Sequence, residues 1–107
     1  MTVMGRTFVI GDIHGGARAL EQVIGRVGLE AEDRLIFLGD YVDGWSEARQ
    51  VIDLLIELDR GYACTFIIGN HDVWCMEWLA GLGSEEDWLA QGGQATVDSY
   101  SDRKSVV

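Results

Sequence analysis

Proline is absent from this 107-residue sequence, and cysteine, histidine and basic residues are scarce. Without proline, the breaks between helices and strands fall to glycine, which occurs 14 times. Eight Lys and Arg against 18 Asp and Glu give a net charge of -10. This charge repels a phosphate backbone and argues against nucleic-acid binding through a basic surface. A polyanionic ligand would therefore need a bound cation between itself and the protein.

Long hydrophobic runs are also missing, since the longest apolar stretches, such as residues 35–38, span only a few residues. A membrane-spanning helix needs about 20, and no basic segment with an apolar core opens the chain as a signal peptide would. Cys64 and Cys75 do not form a CxxC pair, so we expect two small core residues in a reducing compartment, with Cys64 in a buried strand. These features predict a soluble cytoplasmic protein without a membrane partner, folded as one domain over residues 1–107.

Three short apolar runs, at residues 7–10, 35–38 and 65–68, each end in a glycine, and these glycines lie roughly 30 residues apart, the length of one strand-helix repeat. Such runs, without polar alternation, are typical of strands covered on both faces in a parallel sheet. Apolar residues at helical spacing fill the intervening segments, namely Ala17, Leu20, Ile24 and Val27, then Ala48, Val51 or Ile52, Leu55 and Leu58. Further helices are indicated over 73–79 and from Ser84 onward. The chain is thus predicted to be α/β, with a parallel β-α-β-α-β-α order.

Acidic and amide side chains follow directly on the three runs. The sequences are Gly-Asp-Ile-His-Gly at 11–15, Gly-Asp-Tyr-Val-Asp-Gly at 39–44 and Gly-Asn-His-Asp at 69–72, and they contain both histidines of the chain. Because the carboxyl ends of parallel strands share one edge of a sheet, these side chains should converge. Carboxylate, amide oxygen and imidazole together suit Mn²⁺, Fe or Zn²⁺ better than an all-oxygen calcium site.

Each of these loops also has a simpler explanation. Asp or Asn after a strand often caps the following helix, and a single histidine in a loop is commonly structural or exposed. A plain α/β domain with capped helices would, however, have to place both histidines beside such residues by chance. A metal site is therefore the preferred interpretation.

In this order and spacing, the three loops resemble those of the calcineurin-like metallophosphoesterase superfamily. The resemblance is to its phosphoprotein phosphatase branch, which also contains bacterial diadenosine tetraphosphatases, and it covers roughly the first two-thirds of the chain. It implies the N-terminal half of a metallophosphatase α/β sandwich. It further implies an enzyme that hydrolyses phosphate monoesters of phosphoserine or phosphothreonine proteins, with dinucleoside polyphosphates as the alternative substrate.

The same resemblance implies a dinuclear metal site with a bridging hydroxide. Asp12 and His14 would bind one ion, Asp40 would bridge both ions, and Asn70 would bind the second, with manganese favoured and iron or zinc as alternatives. Two divalent ions held roughly 3.5 to 4 Å apart lower the pKa of a shared water and neutralise phosphoryl oxygens. A short carboxylate such as Asp40 suits the bridging position.

The resemblance assigns His71 as the general acid for the leaving group, oriented by Asp43. Histidine titrates near neutrality, and a carboxylate partner fixes its tautomer and stabilises its charge. Asp72 is an alternative partner for the imidazole, and the sequence leaves the choice open.

Two features depart from the family pattern, and the first concerns phosphate binding. The family usually has an arginine after the second Asp of the middle loop, whereas Gly44 and Trp45 follow here. Arg49 or Arg18 would have to bind the substrate phosphate instead. Trp45 is expected either to line the substrate cleft or to pack at the start of a helix.

The second departure is that no histidine follows His71, although the family takes two more from later strands. The second ion would then have Asp40 and Asn70 alone and bind weakly. We therefore expect a domain that is incomplete at its C-terminus, with apolar surface left exposed or used in self-association. A non-catalytic remnant that binds one ion or a phosphorylated ligand, or that needs a partner to complete the site, is the alternative of another class.

Overall fold

The computed structural model describes residues 5–101. Its strands are β1 (Thr7–Ile10), β2 (Arg34–Phe37) and β3 (Ala63–Phe66), and its helices are α1 (Ala17–Val27), α2 (Ala48–Gly61), α3 (Asn70–Leu79), α4 (Glu85–Trp88) and α5 (Gln94–Tyr100). A π-helical turn at Leu89–Gly93 joins the last two helices. The predicted order of strands and helices is confirmed, but β2 and β3 begin one and two residues earlier than their apolar runs. Ile67 and Ile68 consequently lie beyond β3, half exposed.

The three strands form a parallel sheet in the order β1-β2-β3. Phe8 lies opposite Leu35, and Leu35 lies opposite Cys64. Right-handed connections between strands that follow each other in this order place α1 and α2 on the same face of the sheet. The hydrophobic core therefore forms between that face and the two helices.

The residues of this core come from the apolar stripes of both helices, from the central strand and from the loop that follows it. They are Ala17, Leu20, Leu35, Phe37, Tyr41, Val42, Ala48, Val51, Leu55 and Leu58. Phe37 is fully buried and stacks on Phe66 with the ring centroids 5.1 Å apart. Burying each large apolar side chain stabilises the fold by roughly 1.5–3 kcal/mol, so β2 is held most firmly.

The opposite face of the sheet carries no helix among residues 5–101, so the expectation that the strands are covered on both faces is wrong. Side chains alternate across a strand, and Val9, which points away from α1 and α2, is 60% exposed. Cys64 is only half-buried, since β3 is an edge strand. The single-sided cover follows from the strand order, which no local run of residues encodes.

The helix α4 begins where the sequence indicates, whereas α3 begins at Asn70, three residues before the predicted start. Ser84 caps α4, because its Oγ accepts a hydrogen bond of 3.2 Å from the backbone N–H of Asp87. Trp88 is buried at the end of α4 and packs on Trp78 with the ring centroids 5.0 Å apart. None of the helices within residues 5–101 is long and apolar enough to cross a membrane.

Candidate metal centre

The first two loops are joined by backbone hydrogen bonds at the carboxyl edge of the sheet. The N–H groups of Ile13 and His14 both donate to the carbonyl of Asp40, at 3.1 and 2.8 Å, and Gly15 donates to Tyr41 at 2.8 Å. Leu35 and Phe37 anchor β2 in the core immediately before the second loop. The loops are thus fixed relative to each other independently of any ligand.

Asp12, His14 and Asp40 come together in this frame. One ligand atom from each side chain lies within 4.8 Å of the other two, with Asp12 exposed and the others half-buried. Nδ1 of His14 lies 2.9 Å from the carbonyl of Asp43 and 3.1 Å from that of Val42. Because carbonyls only accept hydrogen bonds, Nδ1 carries the proton and Nε2 keeps its lone pair. Nε2 lies 3.6 Å from Oδ2 of Asp12, which is the orientation expected of a metal-binding histidine.

Backbone strain is concentrated at the same place. Within residues 5–101, the non-glycine residues with positive φ are His14, Asp40 and Asp43, at 46°, 54° and 69°. Such conformations cost about 1–3 kcal/mol each and persist only where the surrounding structure enforces them. Two of the strained residues, His14 and Asp40, are candidate ligands. The third, Asp43, is the residue whose carbonyl accepts the hydrogen bond from Nδ1 of His14.

A glycine allows the third loop to approach the second. A side chain at Gly69 would overlap the carboxylate of Asp40, so only glycine permits this contact. The approach brings the N-terminus of α3 onto Asp40, whose Oδ1 accepts a hydrogen bond of 2.9 Å from the backbone of His71. Asp40 is thereby oriented by both neighbouring loops.

Asp72 connects the second and third loops rather than orienting His71. Its Oδ2 accepts from the backbone of Asp40 at 2.7 Å and of Gly69 at 3.0 Å, and its Oδ1 accepts from Tyr41 at 2.8 Å. Both oxygens are thus taken by backbone N–H groups, and Asp72 is 8% exposed. The alternative in which Asp72 is the partner of the His71 imidazole is therefore wrong.

Tyr41 provides a further tie between the loops and the sheet. Its hydroxyl donates to the carbonyl of Ile67 at 2.6 Å, and the side chain is 7% exposed. Burial, with a smaller contribution from the charge of Asp72, raises the pKa of Tyr41 to about 12. The phenol therefore stays protonated as a donor throughout the physiological pH range.

His71 and Asp43 lie beside the three candidate ligands. Nδ1 of His71 is 3.0 Å from Oδ2 of Asp43, and the His71 ring meets the His14 ring edge to face with centroids 4.9 Å apart. Asp43 is 1% exposed. Two residues that sequence reasoning missed also bind it: the Trp88 indole N–H donates to Oδ2 at 2.7 Å and the Thr96 hydroxyl donates to Oδ1 at 2.6 Å. No local signal marks them, because they lie 45 and 53 residues further along the chain.

Asn70 lies in the third loop, and Trp45 directly follows the second loop. Asn70 is the exposed first residue of α3, directly before His71. The backbone N–H of Trp45 donates to the carbonyl of His14 at 2.8 Å, while its side chain is 71% exposed. The Trp45 ring therefore lies at the surface next to the first loop and is not packed at the start of α2.

The two candidate arginines differ in exposure and in hydrogen-bond partners. The Arg18 side chain is 89% exposed, with its Nε 3.9 Å from Oε2 of Glu47. Arg49 faces α5, where its backbone N–H donates to Oγ of Ser99 at 3.2 Å. Its Nε is buried with no hydrogen-bond partner among the described residues.

Comparison with known proteins identifies the fold that carries this site. Residues 5–104 match the family model described as calcineurin-like phosphoesterase. The chain belongs to the calcineurin-like phosphoesterase family. The predicted family and α/β fold are thereby confirmed.

Named relatives of this calcineurin-like phosphoesterase are longer proteins. A symmetrical bis(5'-nucleosyl)-tetraphosphatase of Nitrosomonas europaea is 36% identical over 76 residues, which is 70% of this chain and 28% of that protein. A candidate serine/threonine-protein phosphatase of Caenorhabditis elegans is 36% identical over 66 residues, or 60% of this chain and 18% of that protein. A crystal structure of a candidate diadenosine tetraphosphatase has a TM-score of 0.58 at 30% identity, covering 84% of this chain and 44% of that one. The chain spans less than a third of the length of these two sequence relatives.

The donor set of this calcineurin-like phosphoesterase fits a divalent ion. Two carboxylates and one imidazole, with the imidazole tautomer fixed by backbone carbonyls, supply the oxygen and nitrogen ligands that Mn²⁺, Fe and Zn²⁺ accept. Neither Cys64 nor Cys75 belongs to this group of side chains. The candidate site is therefore one of hard and borderline ligands without thiolate.

Proposed function

We propose that this chain supports the divalent-metal-dependent hydrolysis of phosphate esters at the carboxyl edge of its sheet. The observation that carries the proposal is the contact between the two histidine rings, whose centroids are 4.9 Å apart. It brings a candidate metal ligand, His14, into contact with a candidate acid, His71. A phosphate ester bound there would meet cations and a proton donor together.

Asp12, His14 and Asp40 would hold one ion, and Asp40 with Asn70 would hold a second. Manganese is the proposed metal, with iron or zinc as alternatives, because the ligands are mixed oxygen and nitrogen. When bound, such ions neutralise phosphoryl oxygens and lower the pKa of a coordinated water. The hydrogen bonds that Asp40 makes with His71 and Asp72 of the third loop support a bridging role for its carboxylate.

His71 would donate a proton to the leaving oxygen. Its Nδ1 is bonded to Asp43, so Nε2 is the nitrogen left to face the substrate. The buried carboxylate of Asp43 would stabilise the imidazolium and hold the ring in one orientation. The pair therefore supplies an acid whose direction is set before substrate binds.

Two substrate classes are proposed for the whole protein. The names of its relatives support dinucleoside polyphosphates and phosphoserine or phosphothreonine proteins. Trp45, exposed beside the first loop, offers a surface on which a nucleobase could stack, which favours the first class. Hydrolysis of diadenosine tetraphosphate compared with a phosphoserine peptide distinguishes the two.

A non-catalytic, metal-binding function is the second candidate. It is favoured by the small donor set for the second ion, since no histidine follows His71. Under that reading the chain binds one ion, and a partner or a second copy, docked on the exposed sheet face, supplies the rest. We further propose a cytoplasmic location, which accords with the unpaired thiols of Cys64 and Cys75.

The test combines metal binding with hydrolysis. We would titrate the chain with Mn²⁺ by calorimetry and measure turnover of p-nitrophenyl phosphate and of an alkyl phosphate ester. Asp40→Asn should weaken Mn²⁺ binding and remove any turnover. His71→Asn should reduce hydrolysis of the alkyl ester by about 100-fold or more and of the nitrophenyl ester much less, because nitrophenolate leaves without a proton.

Three outcomes separate the proposals. Mn²⁺ binding with turnover supports the enzyme, and Mn²⁺ binding without turnover supports the metal-binding module for this chain. Absence of Mn²⁺ binding, or binding that is unchanged in Asp40→Asn, refutes both. Glu57→Gln, on the exposed side of α2, controls for the loss of one negative charge.

A further inference from the structure

Asp43 is held by residues from the C-terminal helices as well as by His71. Its Oδ2 is hydrogen-bonded to Nδ1 of His71 and to the Trp88 indole N–H, and its Oδ1 accepts a hydrogen bond from the Thr96 hydroxyl. The Thr96 Oγ1 also accepts a hydrogen bond of 2.8 Å from the backbone N–H of Asp43. Thr96 therefore bonds to the backbone and the side chain of the same residue, which fixes one relative to the other.

The strained backbone of Asp43 needs such support. With φ at 69°, this non-glycine residue is held in a conformation that it leaves unless other contacts enforce it. Thr96 is 4% exposed and Trp88 is 3% exposed, so water does not compete for the hydrogen bonds that they donate to Asp43. The carboxylate is thus presented to His71 from a buried position.

A pair of glycines brings these two residues into place. The π-helical turn Leu89–Gly93 lies between them, and Gly92, at φ 108°, packs so closely that a Cβ there would lie 3.1 Å from the Gly44 nitrogen. A side chain at Gly93 would overlap the Trp88 ring. The turn is therefore shaped to pack against the loop that contains Asp43.

We propose that Trp88 and Thr96 are positioning residues for His71 and act through Asp43, an inference that rests on the proposed role of His71 as the acid. The indole N–H is a donor only and cannot accept the imidazole proton. With Trp88 and Thr96 donating to both oxygens, the remaining lone pair of Oδ2 accepts Nδ1–H. His71 is then held as the Nδ1–H tautomer, with Nε2 turned toward the candidate metal ligands.

A purely structural role makes a different prediction. Trp88 packs on Trp78, so removing it could simply weaken α4. We therefore choose Thr96→Val, which keeps the shape and removes the hydroxyl, Trp88→Phe, which removes the N–H, and Thr96→Ser, which restores the hydroxyl. Thr65→Val, at an exposed position of β3, is the matched control for the same exchange.

The first measurement needs no catalysis. Two-bond ¹H–¹⁵N spectra of the metal-free chain, at a pH of about 9 where histidine is ordinarily neutral, report the tautomer of His71, assigned with His71→Asn. The unmodified chain should hold the Nδ1–H form. In Thr96→Val and Trp88→Phe the Asp43 carboxylate is no longer held against Nδ1, so the population should shift toward Nε2–H. Thr96→Ser and Thr65→Val should retain the Nδ1–H form.

The second measurement uses the two phosphate esters with Mn²⁺. Thr96→Val should lower kcat for the alkyl ester on the order of 10- to 100-fold, with KM unchanged and the nitrophenyl ester little affected. Absence of turnover in the unmodified chain counts against the proposed function and leaves the tautomer result intact.

The inference is overturned if folded Thr96→Val keeps the Nδ1–H tautomer unchanged. Circular dichroism establishes whether each variant is folded. If the variants do not fold, hydrogen exchange of the Trp88 indole proton in the unmodified chain tests the proposal instead. That proton should be protected and shifted downfield by the carboxylate, and free exchange of it refutes the proposal.

Discussion

Asp72→Ala should be among the most destabilising single substitutions in this chain, because it removes three hydrogen bonds at once. The carboxylate accepts from the backbones of Asp40, Tyr41 and Gly69, and it is 8% exposed. Hydrogen bonds to charged groups contribute roughly 1.5–3 kcal/mol each when a buried partner is left without one. Asp40 and Gly69 are only half-buried, so water would compensate part of the loss. We expect a decrease of about 3–5 kcal/mol in the free energy of unfolding.

Urea unfolding followed by tryptophan fluorescence measures this change. With a slope of about 1–3 kcal/mol per M for a small protein, the midpoint should fall by roughly 2 M. Asp72→Asn keeps one carbonyl oxygen, so its urea midpoint should lie between those of the unmodified chain and Asp72→Ala. The Mn²⁺ affinity of both variants should also decrease, because the Asp72 hydrogen bond orients the backbone of Asp40.

Glu57→Ala is the reference substitution, on the exposed side of α2, and should change stability by no more than about 0.5 kcal/mol. An Asp72→Ala midpoint equal to that of Glu57→Ala would show that the three hydrogen bonds contribute little in solution. The account of how the second and third loops are joined would then be wrong.

Three further predictions follow from the same structure. Gly69→Ala should weaken Mn²⁺ binding measured by calorimetry, because its Cβ would overlap the Asp40 carboxylate, whereas Gly11→Ala, with open space around it, should not. Tyr41, with its pKa raised to about 12 from an unfolded value near 10, stabilises the fold below pH 10 and loses that contribution as the pH rises from 10 to 12; absorbance titration at about 295 nm should lose its highest step in Tyr41→Phe, and an unchanged titration would contradict the buried hydrogen bond. The Arg6 guanidinium hydrogen-bonds to Asp33 and holds the pKa of that carboxyl well below its usual range. The contribution of Asp33 to the free energy of unfolding is therefore complete above the unfolded pKa of about 3.9 and is lost as the pH falls below it. Urea midpoints at pH 7 and about pH 3 should differ less in Asp33→Asn than in the unmodified chain.

Local features of the sequence predicted the parts of the fold that depend on neighbouring residues. The apolar runs placed β1 correctly and β2 within one residue, because strand formation there follows side-chain type. The two Gly-Asp pairs predicted that Asp12 and Asp40 meet, since parallel strands bring their carboxyl ends to one edge. Asp12, His14 and Asp40 do lie together.

Long-range contacts were beyond such reasoning. Thr96 and Trp88 reach Asp43 only because a glycine-containing turn folds α5 back over the second loop, and neither residue type signals a partner 45 or 53 positions away. The role of Asp72 was ambiguous for a similar reason, because its three acceptor contacts depend on how closely two loops approach. The exposed face of the sheet follows from strand order, a property of the whole chain.

The positive φ angles of His14 and Asp40 make stability and function opposing targets for selection. Replacing either residue with glycine would relieve roughly 1 kcal/mol or more of backbone strain. Asp43 has the same strain, but its buried carboxylate accepts hydrogen bonds from Trp88 and Thr96, so replacing it would destabilise the fold by more than the strain it relieves. A library screened for thermal tolerance alone should therefore accumulate glycine at positions 14 and 40, while a library screened for metal binding should exclude it. The divergence between the two libraries would map the site without any substrate being known.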